Sequence, residues 1–342
     1  MMYGDRERTS GGGFRSTAGK TALCCVLLLL LILAMLVSWK TGLQEISFGE
    51  LFRVLDGGGG EINRKILLEI RLPRILLGAL TGACLAVSGA ILQGVMRNPL
   101  ASPGIIGVSS GGGLGGLLAI LVFPQYATLQ IPAAFTGSLA AAFLIYFLAW
   151  KRETDPVRLV LAGVAVSSML GAVSGMIMLL HAEQTGRILD FTFGSLSAGC
   201  REDMLRVLPY MVVGLAAAMT IARRIDILAM GDETATALGI KVERSRFLMI
   251  ATAALLAASA VSVAGLVGFV GLIAPHVIRM IAGPVNRFLL PASGIFGAFM
   301  VVSCDLAGRY FAAPGEIPAG LVLALLGPPF FLWLLRRNVY AA

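Results

Sequence analysis

An all-α polytopic membrane protein with about ten transmembrane helices is the fold class this sequence predicts, and three observations predict it. The 342 residues are 57% hydrophobic and only 13% charged, whereas a soluble domain sits nearer about 45–50% apolar and about 25% charged. The apolar residues fall in long continuous runs, not in the alternating ten-residue segments of a membrane barrel. The length leaves room for roughly ten such runs joined by short loops, given about 20 residues per spanning helix. Only helices or closed barrels satisfy the backbone in lipid, so the runs are read as helices.

Taken in order, residues 1–20 form a basic, glycine-rich cytoplasmic leader. Its segment GGGFRSTAGKT (11–21) misses the phosphate-loop pattern, because Phe14 stands where the first glycine is required. The run 21–39 is long enough to span and no small-residue cleavage site follows it, so it reads as a retained first helix. The remaining spans are drawn at 73–94, 103–123, 131–149, 157–181, 202–222, 247–266, 268–282, 288–307 and 317–335. Residues 40–72 make the longest loop, with GGGG at 57–60 marking a flexible turn. The segment 181–200 is too short and polar to span, and FTFGSL within it is a candidate re-entrant helix. Several spans are interrupted by glycine and proline, including Pro275 in the eighth and Pro328 and Pro329 in the tenth. Broken helices of this kind often line a substrate path.

Ten spans put both termini on one side of the membrane. With the N-terminus inside, the larger share of Lys and Arg falls in the inside loops, so both termini are expected in the cytoplasm. Residues 21–338 then form a single transmembrane domain, with 40–72 extracytoplasmic and 225–246 cytoplasmic. The net charge of +8 follows from this orientation, and hydropathy and loop length exclude nucleic-acid binding.

Few residues inside the spans carry chemistry. The five cysteines form no C-x-x-C pair, and those in or beside apolar runs read as small buried residues. The two histidines, His181 and His276, lie in separate spans without helix-spaced carboxylates, which makes no metal site. Asp305, near the outer end of the ninth span, is the only carboxylate internal to a span, and Glu316 lies at the start of the last one. Intramembrane charges are costly and usually functional, and this is thin provision for an ion-coupled secondary transporter, the alternative reading. The energy for transport is therefore expected to enter from outside the membrane core.

The charged stretch RRIDILAMGDETATALGIKVERSR (223–246) is the natural entry point. Its expected form is two short helices. Asp226 caps the first, Gly231 breaks it, and Asp232 and Glu233 open the second, favourably for its dipole. Gly239 fits the position just past that helix's end. A plain connector needs only about 2–8 residues, so the length and the apolar positions suggest a docking surface for a soluble partner.

The motifs RLPR (71–74), SGAILQGVMRNPLASPGIIGVSSG (88–111), LAGVAVS (161–167), GSLSAG (194–199), ARRIDILAMGDETATALGIKVERSR (222–246), VGFVGLIAPHVIRMIAGP (267–284) and EIPAGLVLALLGPPFFLWLLRR (316–337) carry a resemblance. Over residues 45 to 338 the chain resembles the FecCD-type permeases, membrane subunits of type II ATP-binding-cassette importers for ferric siderophores, haem and cobalamin. The resemblance implies the type II importer permease fold, a homodimer around one central path, two ATP-binding subunits on the cytoplasmic side and an extracytoplasmic solute-binding protein. It implies that Gly231, Asp232, Glu233, Ala237, Leu238, Gly239 and Ile240 contact the ATPase. Arg71, Arg74 and Arg309 match positions that pair with acidic residues on the binding protein. No catalytic residue, cofactor or metal is implied; ATP hydrolysis belongs to the partner subunit, and the location is the bacterial inner membrane. One departure stands out, Pro328, where alanine is common, and ETDPV (153–157) lies where the family places part of its inner gate.

Overall fold

The computed structural model describes residues 16–42, 49, 53–54, 56, 60–151, 153–154, 156–181, 185–197 and 199–336. Most of the leader, glycines 57–59 of the GGGG turn, Asp155 of ETDPV and the last six residues lie outside them. Twelve helices are numbered here. They are α1 (Thr17–Lys40), α2 (Glu61–Val95), α3 (Val108–Val122), α4 (Gln130–Ala149), α5 (Pro156–Leu180) and α6 (Thr185–Thr192), then α7 (Arg201–Ala229), α8 (Asp232–Ala237), α9 (Val242–Ala264), α10 (Val270–Ala282), α11 (Asn286–Phe311) and α12 (Ala319–Arg336). Among the described residues, α1, α2, α4, α5, α7, α9 and α11 are long and apolar enough to cross a membrane, and α3, α10 and α12 are shorter apolar helices. These ten fall where the ten spans were drawn. A two-residue antiparallel pair, Trp150–Lys151 with Glu153–Thr154, joins α4 to α5.

Helix α2 is the axis of the bundle and packs against α7, α9, α10 and α11. It starts at Glu61, well before the expected residue 73, because the polar sequence EINRKILLEIR is helical rather than loop. Pro73 lacks an N–H and cannot complete the ladder to the carbonyl four residues back. The chain accommodates it with a π turn at Ile66–Arg71, where the Leu72 N–H donates to the Leu67 carbonyl five residues behind.

Without a hydrophobic drive between helices in lipid, small residues set the contacts. Gly82 of α2 lies against Gly297 of α11 so closely that a Cβ on either would collide with the other's backbone carbonyl. Buried serines add polar links: Ser88 donates to the Ala253 carbonyl of α9 at 2.7 Å, and Ser138 of α4 to the Val108 carbonyl of α3 at 2.9 Å.

Several expectations need correction. The polar segment before α7 is helical at Thr185–Thr192, which takes in only Phe191 and Thr192 of FTFGSL, so the short helix expected there ends where it was expected to begin. Gly194, left-handed at φ +72°, turns the chain and its carbonyl accepts from the Gly320 N–H at 2.9 Å. Of the cysteines, Cys84 and Cys304 are buried, Cys24 is half-buried, and Cys25 and Cys200 are exposed; all five are free thiols. Cys25 sits on the outward side of α1, where an isolated protomer exposes residues that need only face lipid. Pro328 and Pro329 lie within α12, which continues through them.

Candidate functional site

The charged stretch does not form two short helices. α7 runs unbroken to Ala229, and Asp226 is part of it. Its carboxylate accepts from the Asn286 backbone N–H at 2.9 Å and from Asn286 Nδ2 at 2.7 Å. Asn286 is the first residue of α11, whose leading N–H groups lack intrahelical partners, so Asp226 caps a helix 60 residues away. Capping was the right chemistry assigned to the wrong helix.

The second half follows expectation. Gly231, at φ +119°, turns the chain out of α7 into α8, and Asp232 and Glu233 occupy the first turn of α8. The Gly239 N–H donates to Thr236 and the Ile240 N–H to Ala235, with Gly239 left-handed at φ +79°. That pair of bonds is the Schellman ending that glycine favours. Ala235 is fully buried on the core, with Ile240 and Val242 packed beside it. Glu233, Ala237, Leu238 and Gly239 are exposed, Leu238 by 61%, and Met230 just before α8 is equally open. One carboxylate and two large apolar side chains therefore share a solvent-facing ledge.

Asp232 belongs to a different set of contacts. Arg246 of α9, itself buried, grips both carboxylate oxygens at 2.9 and 2.7 Å and also reaches Glu243 at 3.3 Å. Arg97, just past the end of α2, donates to the same carboxylate and to the Leu228 carbonyl of α7. Neither arginine was singled out from the sequence. Arg97 lies 135 residues from Asp232, and local spacing holds no trace of that pair.

The other end of the bundle holds the three arginines of the second expected site. The structure brings Arg71, Arg74 and Arg309 together, but inside a network. Arg74 is held by both oxygens of Asp305 and by Glu316 at 2.9 Å. Arg309 reaches Asp305 at 3.1 Å, the Thr41 carbonyl at 2.9 Å and the Ser38 hydroxyl. Arg71 donates to the Trp39 and Lys40 carbonyls at 2.9 and 3.0 Å. Arg71 and Arg309 thus satisfy carbonyls at the C-terminal end of α1, where helices leave acceptors open. All three side chains are largely buried in the protomer. Among the described residues the cluster sets three guanidiniums against two carboxylates.

A bundle of seven helices long and apolar enough to cross a membrane and three shorter apolar ones, with an ordered, exposed helix between α7 and α9, has the form of a membrane transport subunit. The comparisons with known proteins then fix the family. Residues 28–337 match the model of the FecCD transport family, and the chain belongs to that family. It is 43% identical to a cobalamin import system permease of Halobacterium salinarum over 84% of this chain and 78% of that protein. It is 37% identical to an iron(3+)-hydroxamate import system permease of Bacillus subtilis, covering 90% and 94%. A hemin transport system permease of Yersinia pestis is 38% identical, covering 90% and 93%. A solved metal-chelate type ABC transporter in an inward-facing conformation superposes with a TM-score of 0.81 at 29% identity, over 93% of this chain and 99% of that one.

Proposed function

We propose that this chain is the permease subunit of an ABC importer that carries an iron-siderophore, haem or corrinoid across the bacterial inner membrane, driven by a partner ATPase. The observation that carries the reading is the exposed ledge of α8, ordered by glycines at both ends and presenting Glu233, Leu238 and Met230 with no apolar cover of its own. Two ATP-binding subunits occupy that ledge, one on each permease of a homodimer, and both termini share the cytoplasmic side. Residues Gly231, Asp232, Glu233, Ala237, Leu238, Gly239 and Ile240 make or shape the contact.

The homodimer is supported by α5, whose outer face is open along its length. Val157, Leu161, Val164, Met169, Met176 and Leu179 are exposed, and a Cβ at Gly171 or Gly175 would meet nothing within 4 Å. At the opposite end, an acidic solute-binding protein docks over the arginine cluster, whose surplus positive charge favours carboxylates. Ion coupling is disfavoured because Asp305 is bound by both Arg74 and Arg309 and is not free to carry a proton or an ion.

The test is to co-express the chain with its cognate ATP-binding subunit. Glu233→Arg with Leu238→Asp is expected to abolish copurification and uptake while the permease still inserts. Unaffected uptake would overturn the assignment of α8.

A further inference from the structure

We propose that Arg97 and Arg246 are positioning residues, which fix α8 on the bundle through Asp232 and carry its displacement to the two central helices, α2 and α9. The proposal rests on the reading of α8 as the ATPase contact, and concerns how motion leaves that contact.

The apolar anchorage of α8 is slight. Only Ala235 of its six residues is buried, and glycines at φ +119° and +79° set it off from the helices on either side. What ties α8 to the bundle beyond Ala235 and its neighbours is the carboxylate of Asp232, held from two directions. Arg246 holds it from the first turns of α9 through Nη2, which reaches both carboxylate oxygens, while Nη1 of the same planar group pairs with Glu243 and fixes its orientation. The Arg246 side chain is only 6% exposed, whereas that of Asp232 is 43% exposed, so the cation is the fixed, buried partner of the pair.

Arg97 holds the carboxylate from the end of α2, and its backbone marks it out. The Arg97 N–H donates to the Gly94 carbonyl and the Asn98 N–H to Gln93, so α2 ends in the same Schellman arrangement as α8. The left-handed residue of that arrangement is usually glycine. Here it is an arginine at φ +46°, a conformation that a side chain makes costly. Glycine would suit the turn better, so the side chain is what this position requires. From there it joins the Leu228 carbonyl, where α7 closes, to Asp232, where α8 opens.

The helices so gripped are not peripheral. α2 and α9 pack on each other through the buried core, and α2 also contacts α10 and α11. A push on α8 therefore reaches the ends of both central helices at once, whereas α1 and α5 have no such link among the described residues.

The experiment uses the full importer, with its ATP-binding subunit and binding protein, reconstituted in lipid vesicles. It reads ATP hydrolysis with and without binding protein free of any chelate. Arg97→Gly relaxes the backbone and removes the side chain, and Arg246→Lys keeps the charge but loses the planar guanidinium that spans Asp232 and Glu243. Both are expected to keep association with the ATP-binding subunit within about twofold, while stimulation by the binding protein falls about tenfold, in the range of measured coupling energies. The double variant should lose little more than the worse single one, as residues of one network do. Unchanged stimulation in either variant would overturn the proposal. So would loss of association in step with stimulation, since the residues would then merely hold the protein together. Glu233→Arg with Leu238→Asp tests the underlying reading separately: if that variant still binds and responds, α8 is not the contact, whatever the arginines do.

Discussion

Arg74 and Asp305, 231 residues apart in the chain, meet as a bidentate pair at one end of the bundle, with Nη2 at 2.8 Å from Oδ1 and Nε at 3.2 Å from Oδ2. The pair joins α2 to α11, and Arg309 and Glu316 extend it toward α1 and α12. Removing one partner from a buried charge network strands the others, which costs roughly 3–5 kcal/mol.

Asp305→Ala is therefore expected to destabilise the protein by about that amount, and Asp305→Asn by less, because the amide still accepts hydrogen bonds. Thermal unfolding in detergent measures it. A melting temperature within error of the wild type would show that the network adds nothing to stability.

Binding-protein docking over the same cluster has a distinct signature. Arg71→Glu is expected to weaken affinity, and affinity of the wild type should fall as salt rises, since the steering charges are screened over about 10 Å at 0.1 M. All three substitutions should lose stability as well as affinity, because Arg71 also satisfies the Trp39 and Lys40 carbonyls and the other two hold Asp305, so the salt dependence is the cleaner sign of docking. Affinity unchanged by all three substitutions at low salt would remove the arginines from the docking site.

The glycines separate contacts within the protomer from contacts between protomers. Gly82→Ala drives a Cβ into the Gly297 carbonyl, and overpacking of this kind costs about 1–3 kcal/mol. A Cβ at Gly171 meets nothing within 4 Å in the protomer, so Gly171→Leu should leave its folding intact while weakening a homodimer closely packed through α5. Multi-angle light scattering of both variants distinguishes the two effects. A Gly171→Leu chain that stays fully dimeric would place the dimer contact elsewhere.

Gly231 has a backbone that other residues rarely adopt, at φ +119° and ψ 152°. Gly231→Ala is expected to cost about 1–3 kcal/mol of local strain, enough to loosen α8 without unfolding the bundle. Faster amide exchange confined to residues 230–240 would confirm it, and wild-type protection there would refute it.

The residues that sequence alone placed well share one property: their partners are close in the chain. Hydropathy located the ten membrane helices because each apolar run is its own signal, and Gly231 and Gly239 bounded α8 because caps act within one helical turn. The motifs at 222–246 and 316–337 carried the family for the same reason, being contiguous. The reading failed at Glu61–Arg71, where polar residues on a helix protruding past the apolar stretch resemble a loop. It failed again at Asp226, whose acceptor role was clear but whose donor, Asn286, sits at the start of another helix.

Composition, periodicity and caps thus determined that this chain is a bundle of long and shorter apolar helices, and that Gly231 and Gly239 bound a charged helix within it. Only the tertiary structure decided that Arg97 and Arg246 meet on Asp232, that Arg71, Arg74 and Arg309 are engaged inward, and that Gly82 faces Gly297. Such pairs depend on which helices lie side by side, and in lipid that choice rests on the fit of small residues across distant segments, which no local pattern encodes.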